Sequence, residues 1–180
     1  MAQPEEPRPS YRLKMVVVGD NAVGKTSLIT AYVENKFARD YLPTLGTNVL
    51  IKDLEIGRAR VQLAIFDVAG QERWQQFRAA YYQGTQVALV VADLTRRVTF
   101  VNVAKFWLPD LKKHAGDVPV LVLANKADLT REVNVETFKE QYVALGIEGM
   151  METSALTGQG VDLAFRRVVE SFMRRKGLVF

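Results

Sequence analysis

Residues 11–26, YRLKMVVVGDNAVGKT, limit the possible folds more than any other stretch of the chain. The run ending in Val16-Val17-Val18 is continuously apolar, as a strand buried on both faces would be. It leads directly into Gly19-Asp20-Asn21-Ala22-Val23-Gly24-Lys25-Thr26, which fits G-x-x-x-x-G-K-[ST]. Leu28, Ile29, Tyr32 and Val33 then recur at helical spacing. This strand–loop–helix order suits anion binding. The glycines let the backbone wrap closely, successive N–H groups point inward, and the helix adds its positive end. Asn21, Ala22, Val23, Gly24, Lys25, Thr26 and Ser27 are therefore the expected phosphate contacts. Lys25 would reach the β- and γ-phosphates, and the Thr26 hydroxyl would ligate Mg²⁺.

The rest of the pattern extends this unit. Residues 47–55 and 59–66 read as strands joined at Ile56–Gly57, a hairpin. QVALVVAD (86–93) and VPVLVLAN (118–125) read as buried strands, and MMETS (150–154) as a short last one. A helix is expected around 99–113. Another closes the chain, with Val161, Phe165, Val168, Val169 and Phe172 on one face. Alternating strands and helices imply an α/β fold: a mostly parallel sheet covered on both faces, with ligand loops at the carboxyl ends of its strands.

Composition removes several alternatives. The 180 residues suit one domain, and 48% hydrophobic residues allow a core of ordinary size. There is no cysteine, so disulfides and thiolate metal sites are excluded and a reducing, cytoplasmic setting is expected. The net charge of +4 comes from scattered Lys and Arg rather than a basic stripe, so no nucleic-acid partner is expected. No run approaches the roughly 18 apolar residues of a membrane span. Residues 1–10, MAQPEEPRPS, lack an apolar block and read as a disordered lead, not a signal peptide; Ala2 excludes N-myristoylation.

Asn125-Lys126-Ala127-Asp128 follows the strand VPVLVLA on the expected binding edge. A carboxylate at Asp128 can accept from guanine N1–H and N2–H₂. Adenine offers no such pair, and its N1 would face the carboxylate as a second acceptor, which is a strong form of rejection. Ser154-Ala155-Leu156 follows the last strand, and the Ala155 N–H can donate to guanine O6. Asp67-Val68-Ala69-Gly70-Gln71 ends another strand. Asp67 can hold Mg²⁺ through a water, the Gly70 N–H can bond a γ-phosphate oxygen, and Gln71 can orient an attacking water. Thr44, in YLPTLGT, is the candidate that closes over Mg²⁺ and the γ-phosphate. Phe37 can pack edge-on against the base, with a plain core role as its rival.

GDNAVGKT, the Thr of YLPTLG, DVAGQ, NKAD and SAL occur in that order, and the chain resembles the small GTPases of the Ras superfamily over residues 11–176, leaving 177–180 as a tail. The resemblance implies a P-loop NTPase fold: a six-stranded sheet, five strands parallel and one antiparallel, with about five helices. It implies GTP/GDP binding with Mg²⁺ and slow hydrolysis, with Gln71, Lys25 and Thr44 in catalysis. Tyr41 and Leu156 join the nucleotide contacts. Two switch loops, about 37–48 and 68–82, would be ordered by the γ-phosphate and released on hydrolysis. Exchange factors, activating proteins and effectors would bind there, on a monomer.

Branch features are mixed. GDNAVGKT, NKFARDYLPT, FVNVAKFWLPDLKKH with its Pro109, and SALTGQG resemble the Rho branch, which implies cytoskeleton regulation. GQERW, AYYQG and the short NKADLTREVN connection resemble the Rab branch, which implies vesicle traffic. The insert that Rho members carry after the guanine motif is missing, while the positions of the Rab aromatic trio read Val49, Phe66 and Tyr81. Both branches stay open on the sequence.

Two departures bear on mechanism. Asn21 stands where many members have Gly, beside the γ-phosphate, and is expected to weaken acceleration by an activating protein while sparing intrinsic hydrolysis. The sequence given ends in RRKGLVF without the lipidated Cys of many members, so no lipid anchor is expected in it, and Arg174-Arg175-Lys176 offers at most weak membrane contact. A GTP-binding module with little hydrolysis and a small-molecule kinase are the rival readings. Trp74, Phe77, Tyr81 and Tyr82 divide between core and partner contact, and His114 reads as a solvated residue at a helix end.

Overall fold

In a computed structural model of the chain, residues 8–34, 47–69 and 75–180 are described. Strands β1 (Ser10–Gly19), β2 (Thr47–Ile56), β3 (Ala59–Val68), β4 (Val87–Asp93), β5 (Val120–Asn125) and β6 (Gly149–Glu152) form one sheet in the order β2-β3-β1-β4-β5-β6. β2 and β3 pair antiparallel through the expected hairpin, and every other neighbouring pair is parallel. The helices are α1 (Lys25–Glu34), α2 (Gln75–Tyr82), α3 (Arg97–Asn102), α4 (Leu108–Ala115), α5 (Glu136–Ala144) and α6 (Val161–Arg175). A five-residue π-turn, Val103–Trp107, joins α3 to α4, so these three segments form one continuous body.

The period-2 alternation of β1 explains why the sheet needs cover on both sides. Met15 and Val17 face α1 and α6, in a core with Leu28, Ile29, Tyr32, Phe165, Val168 and Phe172. Val16 and Val18 face the opposite layer, with Phe100, Trp107, Leu111, Phe138 and Tyr142. In the first core, the rings of Tyr32 and Phe165 stack with centroids 4.0 Å apart. All five residues assigned from the sequence to one face of the closing helix are buried.

The structure adjusts several expectations. β1 takes in Ser10, and the Arg60 N–H donates to the Pro9 carbonyl. At the other end, Leu178 packs on the first core and the Tyr11 hydroxyl donates to the Val179 carbonyl, so the residues read as a tail lie against the domain. Helix α5 was not legible as a period, because it buries only Phe138 and Tyr142. His114 is half-buried, with Nε2 3.6 Å from Asp110 Oδ1, rather than fully solvated. Of the aromatic cluster, Tyr82 is core, Tyr81 is half-buried and Phe77 is exposed; Trp74 lies outside the described residues.

Pro109 has a physical explanation. In a regular α-helix its ring would meet the carbonyl of Lys105 and its missing N–H would break a bond. The π-turn spans that carbonyl, and the Leu108 N–H donates to Val103, one residue further back than an α-helical bond.

Two positions on α6 separate burial from helix propensity. Phe165 is fully buried and Leu163 is exposed. With GDP saturating, Phe165→Ala is expected to lower unfolding stability by about 3–5 kcal/mol in denaturant titration, and Leu163→Ala to change it by under about 0.5 kcal/mol.

Candidate functional site

The phosphate loop sits between the end of β1 and the start of α1, at the carboxyl edge of the sheet. Its glycines are sterically required. A Cβ on Gly24, at φ 99°, would stand 2.4 Å from Asn125 Nδ2, and one on Gly19 would stand 2.3 Å from the Val91 carbonyl oxygen. Ala22 also adopts a left-handed conformation, at φ 59°. The Lys25 side chain folds back over the loop, its Nζ donating to the carbonyls of Gly19 at 2.8 Å and Asp20 at 2.7 Å. Burial pulls its pKa down to about 8, against the opposing pull of Asp67 and Asp20. Phosphate oxygens would supply the counter-charge that desolvation makes valuable here.

Thr26 Oγ1 donates to Asp67 Oδ2 at 2.5 Å, with Asp67 buried at the end of β3. A hydroxyl and a single carboxylate, both hard oxygen donors, suit Mg²⁺, which keeps most of its waters and takes phosphate oxygens as further ligands. Among the described residues no group of three or more His, Cys, Asp or Glu gathers elsewhere to hold a metal. Of the three residues named for the ion from the sequence, Thr26 and Asp67 meet and their oxygens fit it; Thr44 lies outside the described residues.

The guanine motif closes onto the same loop. Asn125 Nδ2 donates to the Val23 carbonyl at 2.9 Å, and Thr153 Oγ1 donates to Asn125 Oδ1 at 3.2 Å. Lys126, at φ 67°, turns its Nζ to within 2.7 Å of Asp93 Oδ2. Ser154 Oγ donates to Asp128 Oδ1 at 2.5 Å, which aims that carboxylate from the loop after β5 toward the loop after β6. Ala155 is buried beside it, whereas Leu156 is exposed. Phe37, Tyr41, Thr44, Gly70 and Gln71 lie outside the described residues.

Three supporting residues were not singled out from the sequence. Asp93, fully buried at the end of β4, takes hydrogen bonds from Thr95 N, Thr95 Oγ1 and Arg96 Nε. Burial pushes its carboxyl up, but the hydrogen bonds from Lys126 and Thr95 outweigh that and hold it below the usual carboxylate range. Arg96 also donates to the Asn21 carbonyl at 2.8 Å, joining Asp93 to the phosphate loop. Trp107 Nε1 donates to Asp20 Oδ1 at 2.7 Å. An acid closing an apolar run, as in VALVVAD, was the available signal for Asp93; nothing local marks Arg96 or Trp107.

These elements combine a glycine-containing loop with a buried lysine, a hydroxyl–carboxylate pair and a carboxylate held by Ser154 along one sheet edge. That set can hold a nucleoside polyphosphate with its metal ion. Comparison with known proteins agrees. A Ras family model matches residues 14–174. The chain is 40% identical to "Ras-related protein RABA5e" of Arabidopsis thaliana, over 94% of this chain and 78% of that protein. It is 37% identical to "Ras-related protein YPT3" of Nicotiana plumbaginifolia (91% and 76% covered) and 35% identical to "Ras-related protein Rab-4" of Dictyostelium discoideum (93% and 82%). Two of these relatives carry Rab names, which puts the weight on the Rab side of the mixed motifs. The fold, the ordered motifs and these matches make the chain a member of the Ras family of small GTPases, a nucleotide-dependent switch that hydrolyses GTP.

Proposed function

We propose that this protein is a Rab-type switch in which the residues at the sheet edge divide the work as follows. The loop from Asn21 to Ser27 and the Lys25 ammonium hold the phosphates. Thr26 and, through water, Asp67 hold Mg²⁺, which neutralises charge on the β- and γ-phosphates when bound; Thr44 completes that shell. Asn125, Lys126, Asp128, Ser154 and Ala155 hold the guanine, with Phe37, Tyr41 and Leu156 at its periphery. Gly70 senses the γ-phosphate and Gln71 orients the attacking water. With no covalent chemistry to perform, catalysis is positioning plus charge stabilisation.

The observation that carries this reading is the 2.9 Å bond from Asn125 to the Val23 carbonyl, which fixes the guanine motif against the phosphate loop. Residues about 37–48 and 68–82 are the proposed surface for exchange factors, activating proteins and effectors. Val49, beside the first stretch, and Phe77, within the second, are exposed apolar side chains. Val49, Phe66 and Tyr81 replace the aromatic trio that the Rab resemblance implies, so the effectors would differ from those that read that trio. Among the described residues no helix is long and apolar enough to cross a membrane. We place the protein in the cytoplasm as a monomer, with Arg174, Arg175 and Lys176 giving weak contact to the cytosolic face of membranes during vesicle traffic.

Two measurements test the assignment. In single-turnover hydrolysis of GTP, Gln71→Leu is expected to slow the rate by at least about tenfold while leaving GDP affinity within twofold of the parent. An unchanged rate would remove Gln71 from the reaction. Asn21→Gly is expected to leave the intrinsic rate within a few-fold and to raise acceleration by an activating protein by about tenfold or more; equal acceleration of both proteins would show that the Asn21 side chain does not obstruct it.

A further inference from the structure

A buried line of contacts runs from the α2 helix to the phosphate loop through the π-turn. Arg78, on α2, is almost fully buried. Its guanidinium carbon lies 4.6 Å from the ring centre of Phe106 and 5.0 Å from that of Trp107. Trp107 Nε1 donates to Asp20 Oδ1 at 2.7 Å, and Asn102 Nδ2 donates to Asp20 Oδ2 at 2.7 Å. Both oxygens of the Asp20 carboxylate are thus held by the α3–π segment, and Asp20 is the second residue of the phosphate loop.

We propose that Trp107 is a positioning residue that couples the α2 helix to the phosphate loop, with Arg78 as the lever on its ring and Asp20 as the point of delivery. The α2 helix starts at Gln75, four residues after Gln71 in the γ-phosphate motif, so a change of nucleotide that moves α2 moves Arg78. Arg78 is poorly fixed by polar bonds. Its Nε and Asp110 Oδ2 are buried 4.0 Å apart and neither is hydrogen-bonded. A buried guanidinium resting on two aromatic faces, beside a carboxylate just out of reach, has a second arrangement close by: closing that gap would form a charge-assisted bond. Trp107 transmits either arrangement because its ring meets Arg78 and its N–H holds Asp20. The π-turn is the compliant part, since its ladder differs from the regular helix on both sides.

Coupling of this kind is reciprocal: what α2 does to the loop, the loop does to α2. A coupling measurement tests it directly. The proposal rests on the two-state nucleotide switch, so its test includes binding of each nucleotide by the parent.

The sequence has two tryptophans. Trp74→Phe leaves Trp107 as the only one, and its emission is read with GDP·Mg²⁺ and with a non-hydrolysable GTP analogue. A difference between the two states is expected, and Arg78→Met is expected to abolish it. Arg78→Lys, which keeps a cation over the rings, is expected to restore part of it and guards against simple misfolding of Arg78→Met. In parallel, Trp107→Phe and Arg78→Met should each change the ratio of GDP to GTP-analogue affinity by at least about fivefold, the typical lower size of an allosteric coupling. The double variant should do no more than the larger single one. The proposal is overturned if Trp107 emission is the same in both states, if Arg78→Met leaves the difference intact, or if the variants weaken both nucleotides equally. A parent that binds neither nucleotide overturns the switch itself, and the coupling with it.

Discussion

The amide of Asn125 bonded to the carbonyl of Val23 joins residues 102 positions apart and sets the geometry on which the site depends. One end is the last residue of β5, the other lies in the loop after β1, and β4 lies between those strands in the sheet. The bond is buried, so breaking it leaves a donor and an acceptor without water, a cost of about 1–3 kcal/mol. It also makes Gly24 obligatory, because any side chain there would occupy the space of the Asn125 amide. The phosphate loop and the NKAD motif are therefore tied to each other by a buried bond rather than standing as two independent motifs.

Buried polar groups recur around that unit. Asp93 collects Lys126, Thr95 and Arg96; Asp20 collects Asn102 and Trp107; Asp67 accepts from Thr26. Each acid lies at the carboxyl end of a β-strand or directly follows one. Low local dielectric makes every such pair stronger and every broken pair more costly. The phosphate loop is thus held by side chains from outside it: Arg96 donates to the Asn21 carbonyl, and Asn102 and Trp107 donate to the Asp20 carboxylate.

Much of this was legible in the sequence because the signals were short and local. VVVGDNAVGKT encodes strand, loop and helix within a few residues, and the apolar runs before NKAD and after QG mark buried strands. The guanine motif required only its order after the loop. The elements that escaped depend on tertiary context. Helix α5 has a weak apolar face, since the sheet edge it covers is short. The π-turn arises from the conflict between Pro109 and the helix that precedes it, which composition shows as a difficulty but not as a solution. Asp20 and Trp107 are 87 residues apart, and no periodicity joins them. The pairing of Pro9 with Arg60 and the packing of Leu178 on the first core depend on a neighbouring strand and core that no local pattern announces.

The most direct test is calorimetric titration of nucleotide-free protein, in the presence of Mg²⁺, with GDP and with ADP. The proposed reading of the base by Asp128, which Ser154 holds, predicts preference for GDP by a factor on the order of 10⁴. Comparable affinity for both nucleotides, or for neither, would contradict the assignment of this sheet edge to a guanine nucleotide.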